Sequence, residues 1–286
     1  MTRLCATAVC FIALCSISAF GQTQTPQAAA PAAALTPGQL RHEYKQKTDH
    51  AYYKLSKHGF QGFHCTADPD WDELYRNVKT NAYMMQDLKP ALKQTHFEIT
   101  VGATGASSVT HQLGELPRSA EVADRLRSTA DGMDDVVNGA LQSWAGLAAR
   151  ILLPDADDDS YDVALSEGKY VLRHHETNSN LRLVVDSAGR LEQLEESNSR
   201  ATITLHPHWD ETAEGLILAG YEASLKVGDE TVQKMRVGYV YVELHGMRLP
   251  QLITLWIDTP EGVLSGPIAF GKYKFPEKTA VSGDAK

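Results

Sequence analysis

The densest group of side chains able to do chemistry is Leu205-His206-Pro207-His208-Trp209-Asp210-Glu211. In an extended segment His206 and His208 project to the same side, as imidazole ligands on a strand must, and Asp210 or Glu211 adds an oxygen. Such a set would serve a secreted metal-dependent hydrolase. A third histidine is not fixed by the sequence, since His111, His174, His175 and His245 are all available. Pro207 followed by Trp209 equally reads as an ordinary loop. Arg173-His174-His175-Glu176 closes a strand before an Asn-rich turn and reads as a solvated strand end.

Other constellations are weaker still. The chain has no G-x-S-x-G elbow, H-E-x-x-H, G-x-G-x-x-G or G-x-x-x-x-G-K-[ST]. Its carboxylates are scattered without selecting an acid/base pair, and Asp186 and Asp258 read as turn formers. The run Asp155 to Asp159 has the acidity of a calcium loop but lacks the glycine and distal glutamate, so it reads as a solvated linker. Cys65 lies in a strand-like setting, Phe60-Gln61-Gly62-Phe63-His64-Cys65, where it reads as a small buried hydrophobe. Its neighbour His64 would point to the opposite face, which counts against a nucleophilic pair. No cofactor and no catalytic residue is expected.

Residues 1–21 read as a secretory signal peptide, expected to be cleaved before Gln22. Arg3 supplies the positive start, Leu4 to Ile17 an uncharged apolar run, and Ala19-Phe20-Gly21 the small-x-small cleavage pattern. Cys10 follows Val9 and Cys15 follows Leu14, so neither sits in a lipidation pattern. A periplasmic or secreted protein without a membrane span is therefore expected. Three of the four cysteines leave with the segment, which excludes an internal disulfide framework. The formal net charge of −9 becomes one unit more negative once Arg3 is lost, and no basic run with interleaved aromatics exists, so nucleic acid is not an expected partner.

Stepping along the chain, residues 22–35 form an Ala/Pro/Gln-rich tether, 36–275 a single α+β domain, and 276–286 a polar tail. Within the domain, helices and a hairpin occupy 36–154 and an antiparallel sheet 160–275. Thr36-Pro37 opens a helix with Leu40, Tyr44, Ala51, Tyr52 and Leu55 on one face, and Gly59 stops it. A short strand spans 60–67. A second helix runs from Asp68-Pro69 to Lys89, with Trp71, Leu74, Tyr75, Val78, Ala82, Met85 and Leu88 at helical spacing. Phe97, Ile99 and Val101 pair with Val109, His111 and Leu113 in a hairpin. The longest helix covers 119–152, carries Val122, Leu126, Met133, Val137, Leu141 and Trp144 on one side, and has Gly132 as a place to bend.

From Tyr161 the pattern changes to period two with turn residues at each interruption, an antiparallel meander of about eight or nine strands. Strands such as Leu181 to Val185 and Tyr221 to Val227 have one wet face. The strands 237–244 and 249–257 are apolar on both sides, so both faces need cover. The long helix would cover one face; further helices, a ligand or a partner would cover the other. Tyr239, Tyr241, Leu252, Trp256 and, from the helix, Trp144 are the pocket candidates.

Tyr170 to Leu172, the Leu181 to Asp186 strand with its Asp-Ser-Ala-Gly turn, Tyr239 to Val242, Gly246-Met247-Arg248-Leu249-Pro250 and Ile268 to Phe275 together resemble the periplasmic lipoprotein-carrier superfamily. The resemblance implies an antiparallel sheet folded into a half-barrel closed by helices, whose concave face holds acyl chains without metal or catalytic residues; for this chain a large curved antiparallel sheet packed with three N-terminal and central helices is expected. Here an extra helix at 68–89 and an unusually long one at 119–152 depart from that pattern. The expected function is a non-catalytic exported protein that binds an apolar small molecule or lipid, or an envelope protein's apolar surface. The alternatives are the hydrolase at His206, His208 and Asp210 and an envelope interaction module without ligand.

Overall fold

The computed structural model describes residues 35–79, 82–150, 160–175, 179–259 and 262–276. The signal peptide, most of the tether, the Asp155 to Asp159 run and residues 277–286 lie outside them. Among these residues four α-helices, α1 (Pro37–Ala51), α2 (Trp71–Leu74), α3 (Ala82–Lys93) and α4 (Ala120–Trp144), accompany twelve strands. These are β1 (Gly62–Pro69), β2 (His96–Gly102), β3 (Ser107–Gln112), β4 (Tyr161–Ser166), β5 (Lys169–His175), β6 (Asn180–Val185), β7 (Leu191–Ser197), β8 (Thr202–Thr212), β9 (Gly215–Val227), β10 (Glu230–Leu244), β11 (Met247–Thr259) and β12 (Gly262–Lys274). All belong to one open antiparallel sheet ordered β3-β2-β1-β12-β11-β10-β9-β8-β7-β6-β5-β4. The α+β class and the nine-strand meander thus hold, and the N-terminal hairpin joins the same sheet through β1 and β12. Among the described residues no helix is long and apolar enough to cross a membrane.

Side-chain parity builds the core. Leu172, Leu183, Leu194, Leu205, Ala223, Met235 and Ile257 are paired neighbour to neighbour across seven strands. All seven are buried, so this row defines the covered face. Phe63, Ile99, Leu255, Ile268 and Phe270 extend the same hydrophobic cluster, and Leu126, Met133, Val137, Leu141 and Trp144 of α4 close over it. The opposite face carries Arg173, Lys234, Arg236 and Glu222 and is exposed.

Local chemistry explains the helix boundaries. At α1, Thr36 Oγ1 accepts from Gln39 N at 3.3 Å while Thr36 N donates to Gln39 Oε1 at 2.9 Å, a complete capping box with Pro37 in the first turn. The helix stops at Ala51, short of the expected Gly59, because the sheet captures the next two residues. Tyr52 bridges Leu216, and Tyr53 N donates to Leu216 O at 2.9 Å. The Tyr52 hydroxyl donates to Gly189 O at 2.7 Å and accepts from Leu191 N at 2.6 Å. Gly59, at φ 74°, closes a 3₁₀ turn at Leu55–His58 instead.

The single helix expected over 68–89 is a correction. Asp70 caps α2 by accepting from Asp72 N and Glu73 N, both at 3.1 Å, but α2 lasts one turn. Val78 then bridges Gly262, and the helix resumes as α3, which continues past Pro90 to Lys93. Two distant glycines break it. A Cβ at Gly262 would lie 2.4 Å from Asn77 O, and one at Gly266 2.9 Å from Leu74 N, so only glycine lets this backbone lie directly on β12. The apolar stripe survives the break, with Trp71, Leu74 and Leu88 all buried. Helix α4 runs without interruption through Gly132; its hydrogen bonding changes at Ala145, where a π-helix spans Ala145–Arg150.

Leu205 sits at the centre of the apolar row and is 1% exposed. Leu205→Ala is expected to cost about 2–5 kcal/mol in urea unfolding, against less than about 1 kcal/mol for Val240→Ala on the open face.

Candidate functional site

Along β10, residues 235, 237 and 239 point to the helix-covered face and 234, 236 and 240 to the open one. The bulge between Val240 and Tyr241 falls opposite Gln251 of β11, so β10 keeps its alternation and Tyr241 follows Tyr239 inward. Pro250, with no N–H to offer, stands beside that bulge. Tyr221 of β9 completes a group of three phenols, with ring centroids 6.3 Å apart for Tyr221 and Tyr239 and 6.4 Å for Tyr239 and Tyr241.

The last turn of α4 lies over this group. The Tyr239 hydroxyl donates to Ala140 O at 2.8 Å, fastening strand to helix, and the Tyr241 hydroxyl donates to Leu218 O at 2.6 Å. Trp144 and Ser143 face the same interior and are buried. Three polar atoms here make no well-aligned hydrogen bond, the Tyr221 hydroxyl, Ser143 Oγ and Trp144 Nε1, although Ser143 and Tyr239 approach the first and Tyr241 the last. Burial pushes the Tyr221 hydroxyl up to about 12 and those of Tyr239 and Tyr241 further. All three phenols are therefore neutral donors at physiological pH.

Of the five pocket candidates, Trp144, Tyr239 and Tyr241 converge. Leu252 and Trp256 do not, because they occupy the opposite face of β11, where Leu252 pairs with the 51% exposed Val240. Trp256 is shielded by the Arg236 guanidinium, 5.0 Å from its ring, and Arg236 in turn reaches Glu222 at 3.3 Å. The expectation that both faces of these strands need cover is corrected accordingly: helices cover one, and a cation and solvent meet the other. Leu252 also lines an open cleft with Trp71, Pro267, Ala269 and the charged Asp68, Asp70 and Lys93.

His206 and His208 are both exposed on β8, as is Asp210. His206 Nδ1 lies 3.3 Å from Glu192 O, and Glu211 is held by Arg190 at 2.7 Å. Among the described residues, the histidine and carboxylate groups close enough to share an ion are instead His111, Asp131 and Asp134. Sequence reasoning named His111 but missed the two aspartates, whose spacing of three puts them on one face of α4. In the other polar group, His174 is buried, its ring tilted by 33° to that of Tyr161 with centroids 4.8 Å apart, so the expected solvated strand end is corrected for that residue. Asp186 is the expected turn former, accepting from Ala188 N and Arg190 N at 2.9 Å each.

Cys65 is buried, and burial pushes its thiol up to about 12. His64 points away, its Nδ1 2.9 Å from Thr100 Oγ1, so no thiolate–imidazole pair forms. Neither a family model, nor a curated protein, nor a solved structure matches this chain.

The buried phenols set an alkaline limit. Each ionises near 10 when unfolded and later when folded, so its stability contribution is complete below about pH 10 and is lost as pH rises toward 12. The urea midpoint should fall steadily above about pH 10, with the tyrosinate absorbance of Tyr52, Tyr221, Tyr239, Tyr241 and Tyr273 appearing only as the protein unfolds. Titration of all 11 tyrosines near pH 10 in the folded state would contradict the packing described.

Proposed function

We propose that this chain is an exported, non-catalytic binding protein whose curved, half-barrel-like sheet holds an apolar, lipid-like ligand beneath the end of α4. The export reading rests on Arg3, the apolar run Leu4 to Ile17 and the Ala19-Phe20-Gly21 pattern. The observation that carries the binding reading is the trio of poorly bonded polar atoms, Tyr221 hydroxyl, Ser143 Oγ and Trp144 Nε1, which make no well-aligned hydrogen bond in an otherwise apolar interior. Each unsatisfied buried group costs about 1–3 kcal/mol, and a ligand's carbonyl or carboxyl oxygen would relieve that cost while its chain replaces apolar contacts. In the closed form side chains fill this interior, so a ligand enters by lifting the end of α4. The π-helix at Ala145–Arg150 begins directly after Trp144, where the regular helical ladder is already interrupted.

A second reading, an envelope interaction module without ligand, is supported by the open face. There Val240 is 51% exposed and continues through Leu252 to Ala269 as an uncovered apolar strip.

The two readings separate by variant. Protein purified without detergent is extracted and its lipids weighed by mass spectrometry, and the delipidated protein is titrated with oleate while tryptophan emission is followed. Tyr221→Phe deletes a poorly bonded hydroxyl without changing shape. It should leave the free protein as stable or more so, and weaken oleate about five- to tenfold. Trp256→Ala, on the open face, should leave oleate binding unchanged. Absence of both a co-purified lipid and oleate binding would sink the carrier reading.

A further inference from the structure

We propose that His111, Asp131 and Asp134 form a binding site for a divalent transition-metal ion, of the zinc class, that clamps α4 to the edge strand β3. The site is independent of the apolar-ligand reading, since it uses none of the residues around Tyr239.

Parity on β3 turns Ser107, Val109 and His111 toward the helix, opposite Val101, Ile99 and Phe97 of β2. Helix α4 meets them with polar groups one turn apart. Ser107 Oγ donates to Asn138 Oδ1 at 2.8 Å, and Asp134 and Asp131 stand one and two turns earlier. His111 Nδ1 is 2.7 Å from Asp134 Oδ2, and His111 Nε2 is 3.9 Å from Asp131 Oδ1.

These two distances differ in meaning. The first is a short charge-assisted hydrogen bond in which Nδ1–H donates to Asp134, which leaves the lone pair on Nε2. The second is too long for a hydrogen bond. It suits an ion lying between the two atoms, with bonds of about 2.0–2.2 Å to nitrogen and oxygen and a closure of about half an ångström. A ligating histidine whose other nitrogen is oriented by a carboxylate is the arrangement zinc sites use.

A separate observation points to a cation. Asp134 Oδ1 is buried and has no hydrogen-bond partner, although its carboxylate is paired through the other oxygen. An orphaned carboxylate oxygen in such a place is costly unless positive charge approaches it. One atom from each of the three residues lies within 4.8 Å of the others, so His111 Nε2 and Asp131 can draw in around one ion while Asp134 orients the ring and adds negative charge beside it. Asp131 is 72% exposed and leaves the remaining positions to water. Imidazole nitrogen with carboxylate oxygen favours zinc and its neighbours over magnesium or calcium, which prefer all-oxygen shells.

The test uses untagged protein stripped with a chelator, titrated with zinc chloride by calorimetry and followed by thermal unfolding. One ion per chain and a raised Tm are expected. Asp131→Asn and His111→Gln should each weaken binding at least tenfold and abolish the zinc-dependent rise in Tm. Asp131→Asn, on an exposed side chain, keeps the metal-free Tm and so remains informative if His111→Gln folds poorly. The double variant His206→Gln, His208→Gln should bind as the parent does. The proposal fails if no stoichiometric zinc binds, if binding survives both single substitutions, or if it disappears with His206 and His208.

Discussion

The in-register apolar row from Leu172 to Ile257 is the constraint on which the remaining structure depends. A strand repeats every two residues, so a slip of one position anywhere along seven strands would turn that strand's core residues to solvent. The positions of Tyr221 and Tyr239 under α4 follow from this row, because each lies an even number of residues from one of its members. Turn geometry helps to hold the register. His245 and Gly246 both adopt positive φ, at 54° and 74°, as a two-residue hairpin turn between β10 and β11 requires. The register shifts at His208/Trp209 and Val240/Tyr241 absorb unequal strand lengths without inverting the faces beyond them.

Elements defined by their own neighbours were legible in the sequence. The Phe97 to Val101 hairpin, the capping of α1 by Thr36 and the period-two meander all rest on short-range chemistry, and each stands in the structure. What was illegible was imposed from a distance. Nothing between Asp68 and Lys89 announces that Gly262 and Gly266, almost two hundred residues on, admit the backbone of Leu74 to Val78 onto β12. The end of α1 is likewise decided by Leu216, which takes Tyr52 and Tyr53 into its own pairing. Local propensity favoured helix in both places, and tertiary contacts overrode it.

Candidate residues followed the same division. That Tyr239 and Tyr241 share a face, and His206 and His208 another, could be read from parity alone. Which face of β11 joins the tyrosines could not, since it depends on the bulge opposite Gln251, and Leu252 and Trp256 were grouped with the wrong side. The apolar character of Trp256 signalled burial, but a guanidinium from Arg236 supplied the cover. The grouping of His111 with Asp131 and Asp134 needed the passage of α4 across β3, a relation between separate elements that no spacing encodes.

The pairing of β1 with β12, in which His64 meets Lys274, has a consequence for how the molecule assembles. Among the described residues the first strand, third in order from the β3 edge, lies beside the last, so the N-terminal hairpin joins the sheet only when β12 is present. Contacts between residues so far apart raise the contact order, and their closure entropy must be met before the pairing rewards it. Synthesis alone therefore leaves β1 to β3 and the helices between them without their seat until β12 emerges. Loss of β12 would leave two unjoined sheets with four raw edges in place of one sheet with two.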